Sequence, residues 1–483
     1  MSTCRSLTLS ALLLCAQSLV AQNKPIYDFQ DLSHAYYERQ KDSLKKAWSC
    51  PAIYKDKDTQ KKYKEIWNGR TDFITEAIDD DGYLYENEMH NYLDGIIRQI
   101  AQANPKLIPQ APMLLIDRGT SVNAYATGSN LLAVNIGLLA FSRTREELAL
   151  VLAHEMSHNA LLHPENGMKK RAEWLTSDEY KQSLNAVLDS KYERYSRLKK
   201  VFEGYSFDRS KHQRYHEGDA DSLAIVLLKN AHIGVDPAVF LRLDSADIQY
   251  RQPLKKSLKE YFAAYQLPVD ESWMVKRTKG LSAKAYSFNT TTAGLADSLK
   301  THPDCVERYN KNKHEQTSGP FTPIPASLRN KAMKMMVWNI YCNGNMTAAL
   351  YRILLEKDLG NTDPWYDFMF SNVMSGLYYA DQKLNRFNAI AVKPKEYIST
   401  NYYELEMMFE QMPREKLEAF HNTLQQASFW SNMTPPEQGF KSLMQTLVTS
   451  TSDNDKQKTA AKSFTSSFPN SLYCEFATPF TKK

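Results

Sequence analysis

Beyond its first two dozen residues the sequence has no long apolar run. Clusters such as Leu223 to Leu228 are short and carry helical spacing, whereas a membrane-spanning helix needs about 20 consecutive apolar residues. No transmembrane span is therefore expected in the mature chain. Charge of a single sign is also lacking: 60 basic and 55 acidic residues leave a net charge of +5. Lysine-rich pieces such as Lys45-Lys46 and Lys61-Lys62-x-Lys64 fall on helical patterns and read as solvated faces, so no nucleic-acid partner is expected. Cysteine is scarce. Outside the N-terminal stretch only Cys50, Cys305, Cys342 and Cys474 occur, none with the spacing of a zinc site or a Cys-x-x-Cys redox pair. Four cysteines allow three disulfide pairings, free thiols are an equal alternative, and chain separation does not choose among them. A cysteine nucleophile at Cys305 beside His302 has no further support.

The N-terminal stretch is the exception to the polar pattern. Arg5 precedes an apolar run from Leu7 to Val20, followed by Ala21. This is the layout of a secretory signal spanning residues 1–21, cleaved after Ala21. It implies an exported, periplasmic or secreted protein. The alternative, a membrane-anchored lipoprotein attached through Cys15, is opposed by the bulky Leu14 before that cysteine.

The most informative segment is His154-Glu155-Met156-Ser157-His158. Four residues of helix turn about 400°, so both imidazoles project from nearly one face and can reach a single zinc ion. Glu155, turned about 100° away, can take a proton from a metal-bound water and pass it to a leaving amine. The preceding Thr144-Arg-Glu-Glu147 has the form of a capping box, and Leu148, Val151, Leu152 and Met156 recur at helical spacing, which predicts a helix. Two histidines leave zinc short of a ligand. Leu161 and Pro164 stand where metzincins carry glycine and a third histidine. A downstream ligand near Asp178 or Glu179 lacks companion residues. His216-Glu217-Gly218-Asp219-Ala220-Asp221 is the stronger candidate, expected to open a second helix: Glu217 would bind the metal and Asp221, four residues on, would hold the outer N–H of a ligand histidine. Acids near a helix start can also be simple macrodipole partners.

These motifs resemble those of the M48 peptidases. Val122-Asn123-Ala124-Tyr125-Ala126-Thr127-Gly128, followed by Val134-Asn135-Ile136-Gly137-Leu138-Leu139, is similar to the family's edge strand and the strand leading to its zinc helix. His154-Glu155-x-x-His158 with His163, Glu217-x-x-Ala220-Asp221, and Thr301-His302-Pro303 with Arg308 follow in the family's order, over roughly residues 85 to 310. The resemblance implies one zinc ion per chain held by His154, His158 and Glu217, with Glu155 and His302 catalytic, His302 by donating to the oxyanion. Asn123, Ala124, Tyr125 and Ala126 would align an extended peptide as an added strand. Arg308 would border the cleft or pair with carboxylates. His163, His212, His216 and His232 otherwise read as solvated or capping histidines.

The fold implied is α+β and predominantly helical, a zincin-like core with a small sheet and two zinc helices. Its parts are a helical segment (22–102), the peptidase core (103–317), a Pro-rich hinge (318–325) and a helical region (326–483). The segment 168–215 would form a lid or cleft wall. The C-terminal helices resemble a degenerate tetratricopeptide-like array without its Trp, Leu, Gly and Tyr pattern, the alternative being a unique helical domain. They would recruit a protein partner or the polypeptide substrate. The function expected is a zinc endopeptidase; the alternatives are an exopeptidase or a chaperone-like binding protein with little turnover. A chain ending near Ser318 is expected to keep zinc and cut small peptides.

Overall fold

The computed structural model describes residues 36–37, 41, 44–46, 48–190, 192–246, 249–275 and 305–482. The expected signal and His302 lie outside the described residues. In chain order the elements are α1 (Lys57–Asp79), α2 (Asn87–Ala103), β1 (Met113–Asp117), β2 (Ala124–Gly128), β3 (Leu131–Asn135), α3 (Ile136–Phe141), α4 (Arg145–Ala160), α5 (His163–Thr176), α6 (Asp178–Leu188), α7 (Arg194–Asn230), α8 (Val239–Ala246), α9 (Leu258–Ala263) and α10 (Cys305–Asn312). The C-terminal helices are α11 (Ala326–Cys342), α12 (Met346–Asp358), α13 (Trp365–Gln382), α14 (Arg386–Ile390), α15 (Thr400–Gln411), α16 (Arg414–Gln425), α17 (Pro435–Thr449), α18 (Asn454–Ser467) and α19 (Cys474–Lys482). The fold is α+β and predominantly helical, with one small sheet.

That sheet has the order β1-β3-β2, with β1 parallel and β2 antiparallel to β3. Side chains alternate across a strand, and here both faces are covered. Leu114, Ile116, Leu132 and Val134 join the main core, while Leu115, Leu131 and Ala133 meet Ile74 and Ile78 of α1 on the other side. β3, covered on both faces and both edges, is entirely apolar apart from Asn135 and entirely buried. β2 is left at the edge. Ile136 to Leu139, expected to continue a strand, instead turn at once into α3.

The loop before β2 is fixed by close packing. A Cβ at Gly137 would lie 2.4 Å from the carbonyl oxygen of Thr120 and 2.5 Å from that of Ser121, so only glycine admits this approach. At the other end of β2, Gly128, Ser129 and Asn130 all have positive φ and turn the chain into β3.

The two halves of the chain share one hydrophobic core, which runs from Leu84 to Phe480. α11 packs on α3, burying Leu328, Ala332, Met335 and Met336. The segment 318–325, read from its prolines as a hinge, is pinned to the start of the zinc helix. Arg145 N–H donates to the Thr322 carbonyl at 2.8 Å, Ile324 N–H to that of Arg143 at 3.1 Å, and Thr322 N–H to Glu146 Oε2 at 2.8 Å. In the C-terminal region α13 is a hub, touched by α12, α14, α16 and α17. From the far end of the chain, Glu475 on α19 accepts two hydrogen bonds from the Arg118 guanidinium, at 2.6 and 2.9 Å. No disulfide joins Cys50, Cys305, Cys342 and Cys474 to one another, and no described helix is long and apolar enough to cross a membrane.

Candidate active site

α4 begins as its sequence suggests, with the Thr144 side chain accepting Glu147 N–H at 3.3 Å. The Glu147 carboxylate reaches back one residue further than a capping box requires, to Arg143 N–H at 2.8 Å. Every residue from Glu146 to Ser157 is buried, so this helix runs through the core and shows no amphipathic stripe. It packs along α7, the 37-residue helix that carries Glu217 and Asp221. The sequence placed these acids at the start of a helix; they lie well inside one, which removes the macrodipole explanation, since that effect fades within the first turn.

The structure brings together His154, His158 and Glu217. The two Nε2 atoms are 3.1 Å apart, and Glu217 offers one oxygen 3.3 Å from His154 Nε2 and the other 3.4 Å from His158 Nε2. A tetrahedral zinc ion with bonds of 2.0–2.1 Å requires ligand atoms about 3.3 Å apart. The three donors therefore fit zinc, and a nitrogen, nitrogen and carboxylate set with no sulfur suits it chemically.

Each ligand histidine has its outer nitrogen held. His154 Nδ1 lies 2.9 Å from Asp221 Oδ1, the contact expected from the sequence. Asp221 is in turn gripped by Arg308, whose Nε and Nη2 donate to its two oxygens at 2.9 and 2.6 Å. The guanidinium also lies 4.4 Å from the centroid of the Phe240 ring. Arg308 is thus a partner of the carboxylate that positions a ligand. Burial opposes charge on Asp221, but the hydrogen bonds from His154 and Arg308 overcome it and hold the carboxyl down at about 2. Burial and Arg308 both disfavour a charged His154 ring; the Asp221 and Glu217 carboxylates outweigh them and raise it to about 10.

His158 has a partner that sequence reasoning set aside. Its Nδ1 lies 2.8 Å from Nδ1 of His163 at the start of α5. The His163 ring stacks on His216, with centroids 4.2 Å apart and planes 9° from parallel. Burial, and then the proximity of His158 and His216, push His163 down to about 4, so its ring is neutral and its Nδ1 can accept a hydrogen bond from His158 Nδ1–H. The only signal in the sequence was the position of each histidine beside a ligand motif.

Glu155 is buried, and its Oε2 accepts the Ala126 backbone N–H at 2.9 Å. That bond identifies the outward side of β2. Asn123 C=O pairs toward β3 through Asn135 N–H at 3.0 Å. Because alternate residues of a strand face opposite ways, Ala124 and Ala126 present their backbone groups to the free edge. Asn123 and Tyr125 instead hold the strand in place, the Tyr125 hydroxyl donating to Asp117 Oδ2 at 2.5 Å. The segment expected to act as a lid, 168–215, comprises most of α5, α6 and the first half of α7.

Residues 86–316 match the model of Peptidase family M48. No curated protein matches the chain.

Proposed function

From the premise that this chain is a zinc metallopeptidase of family M48, we propose that it is an endopeptidase cutting exported polypeptides with Glu155 as general base. One observation carries this reading: Glu155 is anchored by its hydrogen bond to Ala126 on the sheet's free edge and adjoins the His154, His158 and Glu217 triangle. A peptide added as a strand along Ala124 and Ala126 would lie against the residue that must move the proton. Bound zinc would polarise the scissile carbonyl and lower the pKa of a water molecule to about 7. Glu155 takes the proton of the attacking water on its carboxylate and returns it to the departing amine nitrogen. Asp221, Arg308 and His163 fix the two histidine rings, so that no reorientation is needed when substrate arrives. His302 is proposed to donate to the developing oxyanion. The signal-like residues 1–21 support export, and the C-terminal helices are proposed to select the protein presented to the cleft.

The test uses the full chain and peptides blocked at both ends. Wild type should cut them internally. Glu155→Gln should lose about 100- to 10,000-fold in kcat while keeping its zinc, because the amide cannot accept a proton. Glu217→Ala should lose the metal. Substantial turnover by Glu155→Gln would overturn the assignment of the base. Cleavage confined to peptides with a free terminus would make the enzyme an exopeptidase.

A further inference from the structure

The zinc helix carries a further side chain on the face of its histidines. Seven residues of helix turn about 700°, about 20° short of two full turns, so Leu161 follows His154 and His158 on nearly one stripe of α4. Leu161 ends the helix with φ −85° and ψ 0°, close enough to helical values to keep that phase. Exposure rises along the stripe, from His154, which is buried, to Leu161, which is 37% exposed. The next residue, Leu162, is 51% exposed and has φ 55° and ψ 32°. That left-handed conformation is unfavourable for a side chain as bulky as leucine, which also leaves α5 without a side-chain cap. Glycine or asparagine would serve the turn better. A single exposed leucine needs no explanation. Two in succession, one of them strained, at the end of the histidine stripe do.

Their turn is tied to the far end of the edge strand. Asn159 Nδ2 donates to the Leu131 carbonyl at 3.1 Å and Ser129 N–H to Glu165 Oε1 at 2.6 Å, while a Cβ at Gly128 would lie 3.2 Å from that of Pro164. Since Glu155 meets Ala126, the path from Ala126 to Gly128 leads from Glu155 toward Leu161 and Leu162. The regular free edge stops on the way. Register shifts between Ala126 and Gly128, and the Thr127 carbonyl accepts a hydrogen bond from Arg70 Nη1 at 3.2 Å. Antiparallel pairing is the more stable arrangement per residue, and a peptide so added to β2 runs from the Gly128 end toward Ala124. Its residues before the scissile bond then lie on the leucine side, where they meet side chains in place of a regular strand edge. The midpoint of His154 and His158 is five positions from Leu161, about 7.5 Å along the helix. An extended peptide covers that distance in about two residues.

We infer that Leu161 and Leu162 form an apolar subsite for the second or third substrate residue before the scissile bond, and that the enzyme selects polypeptides with a large apolar side chain there. The inference rests on the endopeptidase reading and adds a specificity determinant to it. Covering both leucines with a substrate side chain removes apolar surface from water. The bonded turn holds them in place before substrate arrives, so little ordering is required on binding.

The experiment uses the full chain and one cleavable peptide blocked at both ends. Each of the three residues before the scissile bond and the two after it is set in turn to leucine and to alanine. At the second or third position before the bond, leucine should give a kcat/KM about tenfold above that of alanine, the scale of a large apolar side chain entering a pocket. Leu161→Ser combined with Leu162→Ser should bring that ratio to about one, and Leu161→Met with Leu162→Met should restore it. Equal cleavage of the leucine and alanine peptides at both positions overturns the inference, as does a ratio that survives the serine pair. An effect of the serine pair confined to positions after the bond also overturns it, because the peptide would then run the other way. In each of these cases the blocked peptides are still cut internally, so the endopeptidase reading stands. If peptides are cut only when an end is left free, the endopeptidase reading falls and the subsite with it.

Discussion

Buried charge is handled differently in the two halves of this molecule. Around the His154, His158 and Glu217 triangle of the peptidase half it is matched group for group: Arg308 on Asp221, Asp221 on His154, Glu217 between two histidines. In the C-terminal half it is dispersed; Lys334 pairs with Asp363 and Arg386 with Asp381 at 2.6 Å, but one buried pair is matched loosely. Arg352 and Glu356, both nearly inaccessible, come no closer than 3.8 Å. Arg352 Nε, Thr347 Oγ1, Ser371 Oγ and Asn372 Oδ1 have no partner among the described residues. A site that must hold a metal in one geometry cannot tolerate an unmatched charge, whereas a helical packing core can relax around one. Yet the halves are not separable, because α11 completes the core beneath α3.

Removing everything after residue 318 breaks the comparison most severely. The sequence suggested that such a fragment would keep zinc and cut small peptides. The structure leads to the opposite expectation, since the cut exposes the apolar face of α3 and frees the strap at residues 322–324. The fragment should lose much of a stability that is only about 5–15 kcal/mol in a typical domain. Thermal unfolding and zinc content report the outcome, and a cooperative transition with bound zinc would show that the halves are independent.

The next test sets one buried arginine against another. Arg308→Met strands the Asp221 carboxylate and should cost about 3–5 kcal/mol, with weakened zinc binding. In the C-terminal half, Arg352→Met combined with Glu356→Leu should be neutral or stabilising, because a loosely met pair repays little of its desolvation. Denaturant titration of the two variants checks the contrast, which disappears if both lose the same amount.

Acid provides a third test. Burial holds His421, bonded to Ser375 at 2.8 Å, down at about 4. Its ordinary pKa is about 6.5, so the unfolded chain takes up a proton before the folded one does. The stability due to the neutral ring is complete above about pH 6.5, declines as the pH falls to about 4, and changes no further below that. The limit is about 3 kcal/mol. His421→Gln should flatten that part of the stability profile, and an unchanged slope would place the sensitivity elsewhere.

The smallest effect expected is at His163. His163→Ala frees the His158 ring and should weaken zinc binding about 10- to 100-fold, as loss of a ligand's outer partner commonly does. Competition with a chelator measures it.

What could be read in the sequence follows the same division. Helical spacing alone put His154 and His158 on one face, and the four-residue interval put Asp221 beside a ligand, because coordination imposes fixed intervals. Arg308 was recognisable as a partner for carboxylates, though not for which one. The His163–His216 stack was not legible, since no spacing rule links residues more than fifty positions apart. The true start of α7 was hidden by a charged stretch with no side-chain cap at its N-terminus. The prolines of 318–325 suggested a hinge, while the bonds that pin this strap belong to backbone groups of residues 143–146. In the C-terminal half helical packing imposes no spacing, so the hub position of α13 left no mark in the pattern.

The clasp between Arg118 and Glu475 joins residues 357 positions apart, and during synthesis that separation becomes a delay. At about 5–20 residues per second, Arg118 waits roughly 20 to 70 seconds for its partner to be made. Through most of that interval the proposed metal ligands, the proposed base Glu155 and the edge strand have all been made, but the loop entering that strand lacks this clasp. A newly made chain thus carries its proposed catalytic residues before this clasp can form. Pulse proteolysis of chains stopped before residue 470 should find bonds near Arg118 open to attack that are closed in the finished protein.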